Sequence, residues 1–98
     1  MNVGEYGITI RVGVGEDISS ATNSIVLKDP GGRRTRYAAV LGTVAVDEDG
    51  VSYNPNEYAY YITTQGDIDA YGTWAARLET LQAGILRKSD WIPFTVER

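Results

Sequence analysis

The chain contains no histidine and no cysteine among its 98 residues. Without cysteine there is no disulfide framework and no thiolate to act as nucleophile or metal ligand. Without histidine the usual general base of neutral pH is missing as well. No cofactor and no metal site are expected, and the chain reads as non-enzymatic. Long hydrophobic runs are also absent, so nothing approaches the roughly 20 apolar residues of a membrane helix. Met1–Asn2–Val3–Gly4–Glu5 lacks the basic and apolar regions of a secretion signal, which predicts a cytoplasmically made product with no export route of its own. Bases are in deficit. Thirteen acids against nine bases give a formal charge of −4 and an isoelectric point near 4.6. A duplex-binding surface needs a concentrated positive field, so this balance argues against nucleic acid.

What remains is ordinary in amount and uneven in kind. A hydrophobic content of 43% suits one globular domain over residues 1–98, large enough to bury a core without a metal or disulfide. Aromatic content is dominated by seven tyrosines and two tryptophans, against a single phenylalanine. Rings with one polar end suit half-buried sheets and protein interfaces.

Hydrophobic residues recur with a period of two. Ile8, Ile10 and Val12 alternate with Thr9 and Arg11, which marks a strand with one buried face. Gly13–Asp17 breaks it, and Ile18–Thr22 reads as an arch with Ile18 tucked under the end of the fold. Ile25 and Leu27 lead a second strand, closed by Lys28–Asp29–Pro30–Gly31–Gly32, a hairpin signal. A third strand starts near Arg34 and carries Tyr37, Ala39 and Leu41, with Gly42 as a bulge or break. Asp47–Glu48–Asp49–Gly50 is a turn before the short strand Val51–Ser52–Tyr53, and Asn54–Pro55–Asn56 is another. Tyr58–Thr64 is the next strand. Gln82–Ala83–Gly84 tips a later hairpin, and the last strand runs through Ile92, Phe94 and Val96. About seven strands at this spacing, with turn chemistry between them, predict an antiparallel β-sandwich.

The organising stretch is Gln65–Trp74. It joins the aromatic strand before it to the alternating run Trp74–Thr80 after it. Trp74, Leu78 and Leu81 also fall at helical spacing over 71–87, but Gly72 and the two flanking strands favour a strand over Gly72–Leu81. The Asp-x-x-Gly-x-aromatic order of Asp69, Gly72 and Trp74 resembles the corner that leads into the penultimate strand of an immunoglobulin-like sandwich.

Candidate chemistry is sparse. Asp67 with Asp69, and Asp47 with Asp49, are paired carboxylates, but both pairs sit in turns, where aspartate bonds its own backbone. Asp47–Gly50 carries only the first part of a calcium loop, and Glu57 stands at the wrong offset to complete it. Gly13–Val14–Gly15 lacks the third glycine and helix of a dinucleotide fingerprint. Arg33, Arg34 and Arg36 read as a solvated edge or as an ion-pair patch for an acidic neighbour. Parity places Trp74, Ala76 and Leu78 in the core, with Tyr58, Tyr60 and Ile62 facing them and Tyr61 outside. Trp91 has opposite parity to Ile92, Phe94 and Val96 and so points outward, unless a bulge near Asp90 returns it to the core. An outward Trp91 beside Pro93, with Ile85 on the same side, is a candidate interface anchor.

The segments Gly7–Ile10, Gly15–Ala21, Lys28–Gly32, Thr63–Asp69, Gly72–Trp74 and Phe94–Val96 together resemble a family of small bacteriophage virion domains. The likeness is to the immunoglobulin-like N-terminal domain of phage baseplate upper proteins and its stand-alone relatives. The family turn usually reads Lys-Pro-Asp-Gly, where this chain has Lys28–Asp29–Pro30–Gly31. Its third strand commonly carries Trp and Ala-Thr-Val, where this chain has Arg36–Tyr37–Ala38–Ala39–Val40. The resemblance implies an immunoglobulin-like sandwich, and because the chain ends with it, any receptor-binding or fibre module is expected to be missing or separate. It implies a virion structural protein, present in many copies, that binds other virion proteins as a tail, baseplate or tail-fibre adaptor. A head or neck decoration protein is the nearest alternative. A carbohydrate-binding module using Tyr61, Trp91 or Tyr53 as stacking platforms is the alternative of another class.

Overall fold

The computed structural model describes all 98 residues, Met1 to Arg98. It is all-β with no helix, and every strand pairing is antiparallel. Ten strand segments follow in order: β1 (Thr9–Gly13), β2 (Thr22–Lys28), β3 (Arg34–Ala38), β4 (Val40–Leu41), β5 (Val46–Glu48), β6 (Val51–Tyr53), β7 (Tyr58–Ile62), β8 (Gly72–Gln82), β9 (Ile85–Lys88) and β10 (Ile92–Val96). The larger sheet has the order β10-β8-β2-β3, with β9 also on β8; the smaller has the order β1-β7-β4. They form the two layers of a β-sandwich. β5 and β6 make a separate hairpin.

β8, eleven residues long, is the axis of the larger sheet. β2 lies along one edge, while β10 and β9 share the other. Its alternation decides the core as parity predicts: Trp74, Ala76 and Leu78 are all buried against Ile25, Leu27 and Val96. From the smaller sheet Val12 and Ala59 complete the core, and Ile18 closes one end, as its place in the arch predicts. No apolar residue at helical spacing overrides this pattern, so β8 is a strand.

Two irregularities place side chains that a simple alternation misplaces. Between Ala38 and Val40 the chain leaves β2 and joins β7, so the predicted third strand is shared between the two sheets. Gly42 ends β4 at Leu41, the break expected of it, and has a second role. A Cβ there would lie 2.0 Å from the Tyr58 ring, so only glycine lets that ring pass. Tyr58 is buried, yet it lies outside the core cluster, and its hydroxyl donates to the Val44 carbonyl. This corrects the expected facing of β7. Ala59 and Tyr61 turn inward, Tyr58 is covered from outside, Tyr60 is half-buried and Ile62 is exposed.

The second irregularity is a bulge. Lys88 pairs with Glu79 and Ile92 with Ala76, so three residues on one strand oppose two on the other. The Ser89 N–H donates to the Leu78 carbonyl, and the Leu78 N–H donates to Ser89 Oγ, which holds the bulge. Its effect is to flip parity between β9 and β10. Ile85 therefore shares the face of Gln82, whereas Trp91 and Pro93 share the face of Arg77 and Ala75.

Candidate functional site: a cationic face around Trp91 and Glu79

The outer face of the larger sheet carries an arrangement that alternation alone does not explain. Here β3 contributes Arg34 and Arg36, β2 contributes Val26 and Lys28, β8 contributes Ala75, Arg77 and Glu79, and β9 contributes Lys88. Glu79 is 3% exposed although it stands on an outer face. Arg77 grips one carboxylate oxygen through Nε at 3.1 Å and Nη2 at 2.9 Å, and Arg36 binds the other oxygen. A carboxylate so far out of water is stable only when its oxygens are paired in this way.

Trp91 lies beside this ion cluster. Its ring has Arg77 Cζ at 4.3 Å, Lys28 Nζ at 4.4 Å and Arg34 Cζ at 5.2 Å from its centroid. The negative face of the indole offsets some of the repulsion among these cations. Val26, Arg34, Arg36, Arg77, Glu79 and Lys88 line an open depression of about 310 Å³. Five of the nine bases in the chain thus collect around one carboxylate, leaving four bases to twelve acids elsewhere.

The expected interface residues divide over the molecule. Trp91, Arg34 and Arg36 are brought together, with exposed Pro93 next along the same face. Arg33 is not with them. It precedes β3, its backbone N–H donates to Asp29 Oδ1 at 2.8 Å, and it lines a separate recess with Asp29, Asp67 and Asp69. Ile85, 59% exposed, is carried to the opposite face by the bulge. Trp91 itself is half-buried, an outward ring sheathed by cations.

Tyr61 is the clearest correction. It stacks on Tyr37 with centroids 4.3 Å apart, and its hydroxyl donates to Asp67 Oδ2. Asp67 also accepts the Thr64 N–H at 2.7 Å, the Thr64 hydroxyl at 3.2 Å and the Tyr37 hydroxyl at 3.2 Å. Burial alone would raise the Asp67 pKa, but these donors outweigh it and hold the carboxyl below its ordinary value. Burial and the Asp67 charge push Tyr37 up to about 12. Asp67, rather than the exposed Asp69, therefore ties down the corner; the Thr64-x-x-Asp67 spacing is the signal that could have found it. Gly72 and Trp74 do belong to the corner. Gly72 has φ +128°, with its would-be Cβ 2.8 Å from Pro30, and the Trp74 indole donates to the Ala70 carbonyl at 2.9 Å.

A larger groove of about 570 Å³ opens between Gly13–Val14 and Ser89–Ile92, bridged by the Arg87–Glu16 ion pair. The rings proposed as sugar platforms do not share a face. Tyr61 is stacked inside, Tyr53 leans on Tyr58 at 5.4 Å beneath the β5–β6 hairpin, and Trp91 lies on the larger sheet. No group of three or more acidic side chains converges as a metal site, and no helix is long and apolar enough to cross a membrane. Compared with protein-family models, curated proteins and solved structures, the chain matches none.

Proposed function

We propose that this domain is a non-enzymatic structural component of a bacteriophage virion, working in many copies as a tail, baseplate or tail-fibre adaptor. The observation that carries a contact role is the cationic face around Trp91. An aromatic ring and arginines with planar, multiply donating heads are the residue types that dominate protein–protein hot spots. The virion assignment itself rests on the sequence resemblance.

An immunoglobulin-like topology fits this proposal. The order β10-β8-β2-β3 corresponds to strands G, F, C and C′ of such a sandwich, and β1-β7-β4 to B, E and D. On that reading the corner Gln65–Tyr71 is the E-to-F connection. Quantitative mass spectrometry of purified particles, followed by a particle reconstruction, tests the assignment. Many copies at a defined tail or baseplate position are expected. Copies on the capsid would move the role to head decoration, and absence from purified particles would remove it.

A further inference from the structure

The charges of this molecule are sorted by face. The outer side of the larger sheet holds Lys28, Arg34, Arg36, Arg77 and Lys88 around Glu79. The outer side of the smaller sheet carries the β5–β6 hairpin; Asp47 and Glu48, expected in its turn, are the last residues of β5, and the turn itself is Asp49–Gly50. That hairpin is fastened at its flank. Glu48 pairs with Arg11, an outward residue of β1, and the Tyr53 ring contacts Tyr58 and would meet a Cβ at Gly13 at 3.3 Å. Asp47 accepts only from Ser52 in its own hairpin, Asp49 sits at the tip with φ 51°, and both are exposed. In a two-layer sandwich the two outer sides look in opposite directions, so the acidic hairpin and the basic depression lie on different sides of the molecule.

We infer that the occupant of the cationic face is a second copy of this chain, its Asp47–Asp49 tip seated in the depression over Val26 and Glu79. The inference rests on the contact role proposed above and names the partner for that face. Charge complementarity supports it on both sides. The depression offers Arg34 and Lys88, neither of which is committed to Glu79, and the tip offers two carboxylates that no cation of its own chain holds. A donor face and an acceptor tip on different sides of one protomer make a head-to-tail contact. Such a contact closes into a ring or runs on as a filament, and repetition lets a modest single contact hold. Its strength falls with salt, because the charges meet near solvent.

Paired charge reversal tests this. Arg34→Glu with Lys88→Glu reverses the face and leaves the Arg36–Glu79–Arg77 cluster whole. Asp47→Lys with Asp49→Asn removes the acidic tip, and asparagine suits the positive φ of position 49. Analytical ultracentrifugation of the wild type at low salt is expected to show concentration-dependent association, weakened roughly tenfold or more at about 0.5 M salt. Each reversed variant alone should stay monomeric and folded, with a cooperative circular dichroism melt. Their equimolar mixture should associate again, because the unchanged acidic tip of the first variant meets the unchanged face of the second and the reversed face meets the basic tip. A wild type that remains monomeric at about 1 mM overturns the inference, as does association that survives both reversals. Oligonucleotide binding at the face without self-association overturns it in favour of a polyanion. A monomer found in purified particles would discard the head-to-tail contact and leave the adaptor role standing. Self-assembly by a chain absent from particles would do the reverse.

Discussion

Each side of β8 carries one almost fully buried side chain, and the two are held by different physics. On the inner side Trp74 is 4% exposed, and on the outer side Glu79 is 3% exposed. Trp74 is covered by apolar neighbours such as Leu27 and Phe94, and its stabilisation scales with area removed from water, largely without regard to direction. Glu79 is covered by guanidinium groups, and its burial is tolerated only while specific donors stay in place. The inner layer is therefore sensitive to volume and the outer layer to charge. A molecule built this way can change what its outer face recognises without touching what folds it.

The largest expected effect is on the inner layer. Trp74→Ala should cost about 3–5 kcal/mol in a denaturant titration, as a core truncation. That is a large part of the stability of a domain this small. A loss under about 1 kcal/mol would mean that the outer layer, and not the core, carries the fold. Glu79→Gln comes next, at about 2–3 kcal/mol, because it leaves Arg77 among cations without a counter-charge. The figure sits below the range for a fully buried pair, since the Arg36 side chain is 60% exposed. Added salt should shrink the Glu79→Gln deficit and leave that of Trp74→Ala unchanged, which separates the two layers directly.

The corner gives a third test through pH. Asp67 is held below its ordinary value of 3.8, so its contribution is present above that pH and lost as pH falls through the folded value. Tyr37 is raised from 10.0 to about 12, so its contribution is intact below pH 10 and lost as pH climbs toward 12. Stability should be flat between these limbs. Asp67→Asn should lower the plateau by about 1 kcal/mol and flatten the acid limb, whereas Tyr37→Phe should flatten the alkaline one. An unchanged acid limb in Asp67→Asn would shift the acid sensitivity to another carboxylate.

Much of the inner layer was legible in the sequence, because a strand declares its buried face every second residue. Trp74, Ala76 and Leu78 could be assigned from β8 alone, and Pro30–Gly31–Gly32 fixed the β2–β3 hairpin by turn chemistry. Errors arose where one residue shifts parity or where a loop covers an outer face. In β7 the tyrosines dominate the pattern, yet Ala59 is the core residue and Tyr58 is buried from outside by the segment around Gly42 and Val44. The bulge at Ser89 separated Ile85 from Trp91, which odd numbering had placed together. The cationic face was legible only in pieces. Trp91 and the Arg34–Arg36 pair were visible as candidates, but Arg77, Lys28, Lys88 and Glu79 join them through strand order, which no local pattern encodes.

The smallest effect on stability, and the sharpest on function, is expected at Trp91. Its ring is half-buried on the outer face, in contact with cations rather than with the core. An exposed cation–π contact contributes about 0.5–1 kcal/mol, so Trp91→Ala should leave the isolated domain folded, with a deficit of about 1 kcal/mol. Its cost should appear in assembly. Removing an indole from an interface centre forfeits on the order of 2 kcal/mol, roughly thirtyfold in affinity, and removes the ring against which Arg34 is held for a partner carboxylate. Incorporation into particles and self-association should both weaken, and Trp91→Phe should recover part of each, because a phenyl ring keeps an aromatic face for the cations. Loss of folded protein in Trp91→Ala would make the outer layer as essential to folding as the inner one. Unchanged assembly would place the contact surface away from Trp91 and leave the cationic cluster as a device for burying Glu79 alone.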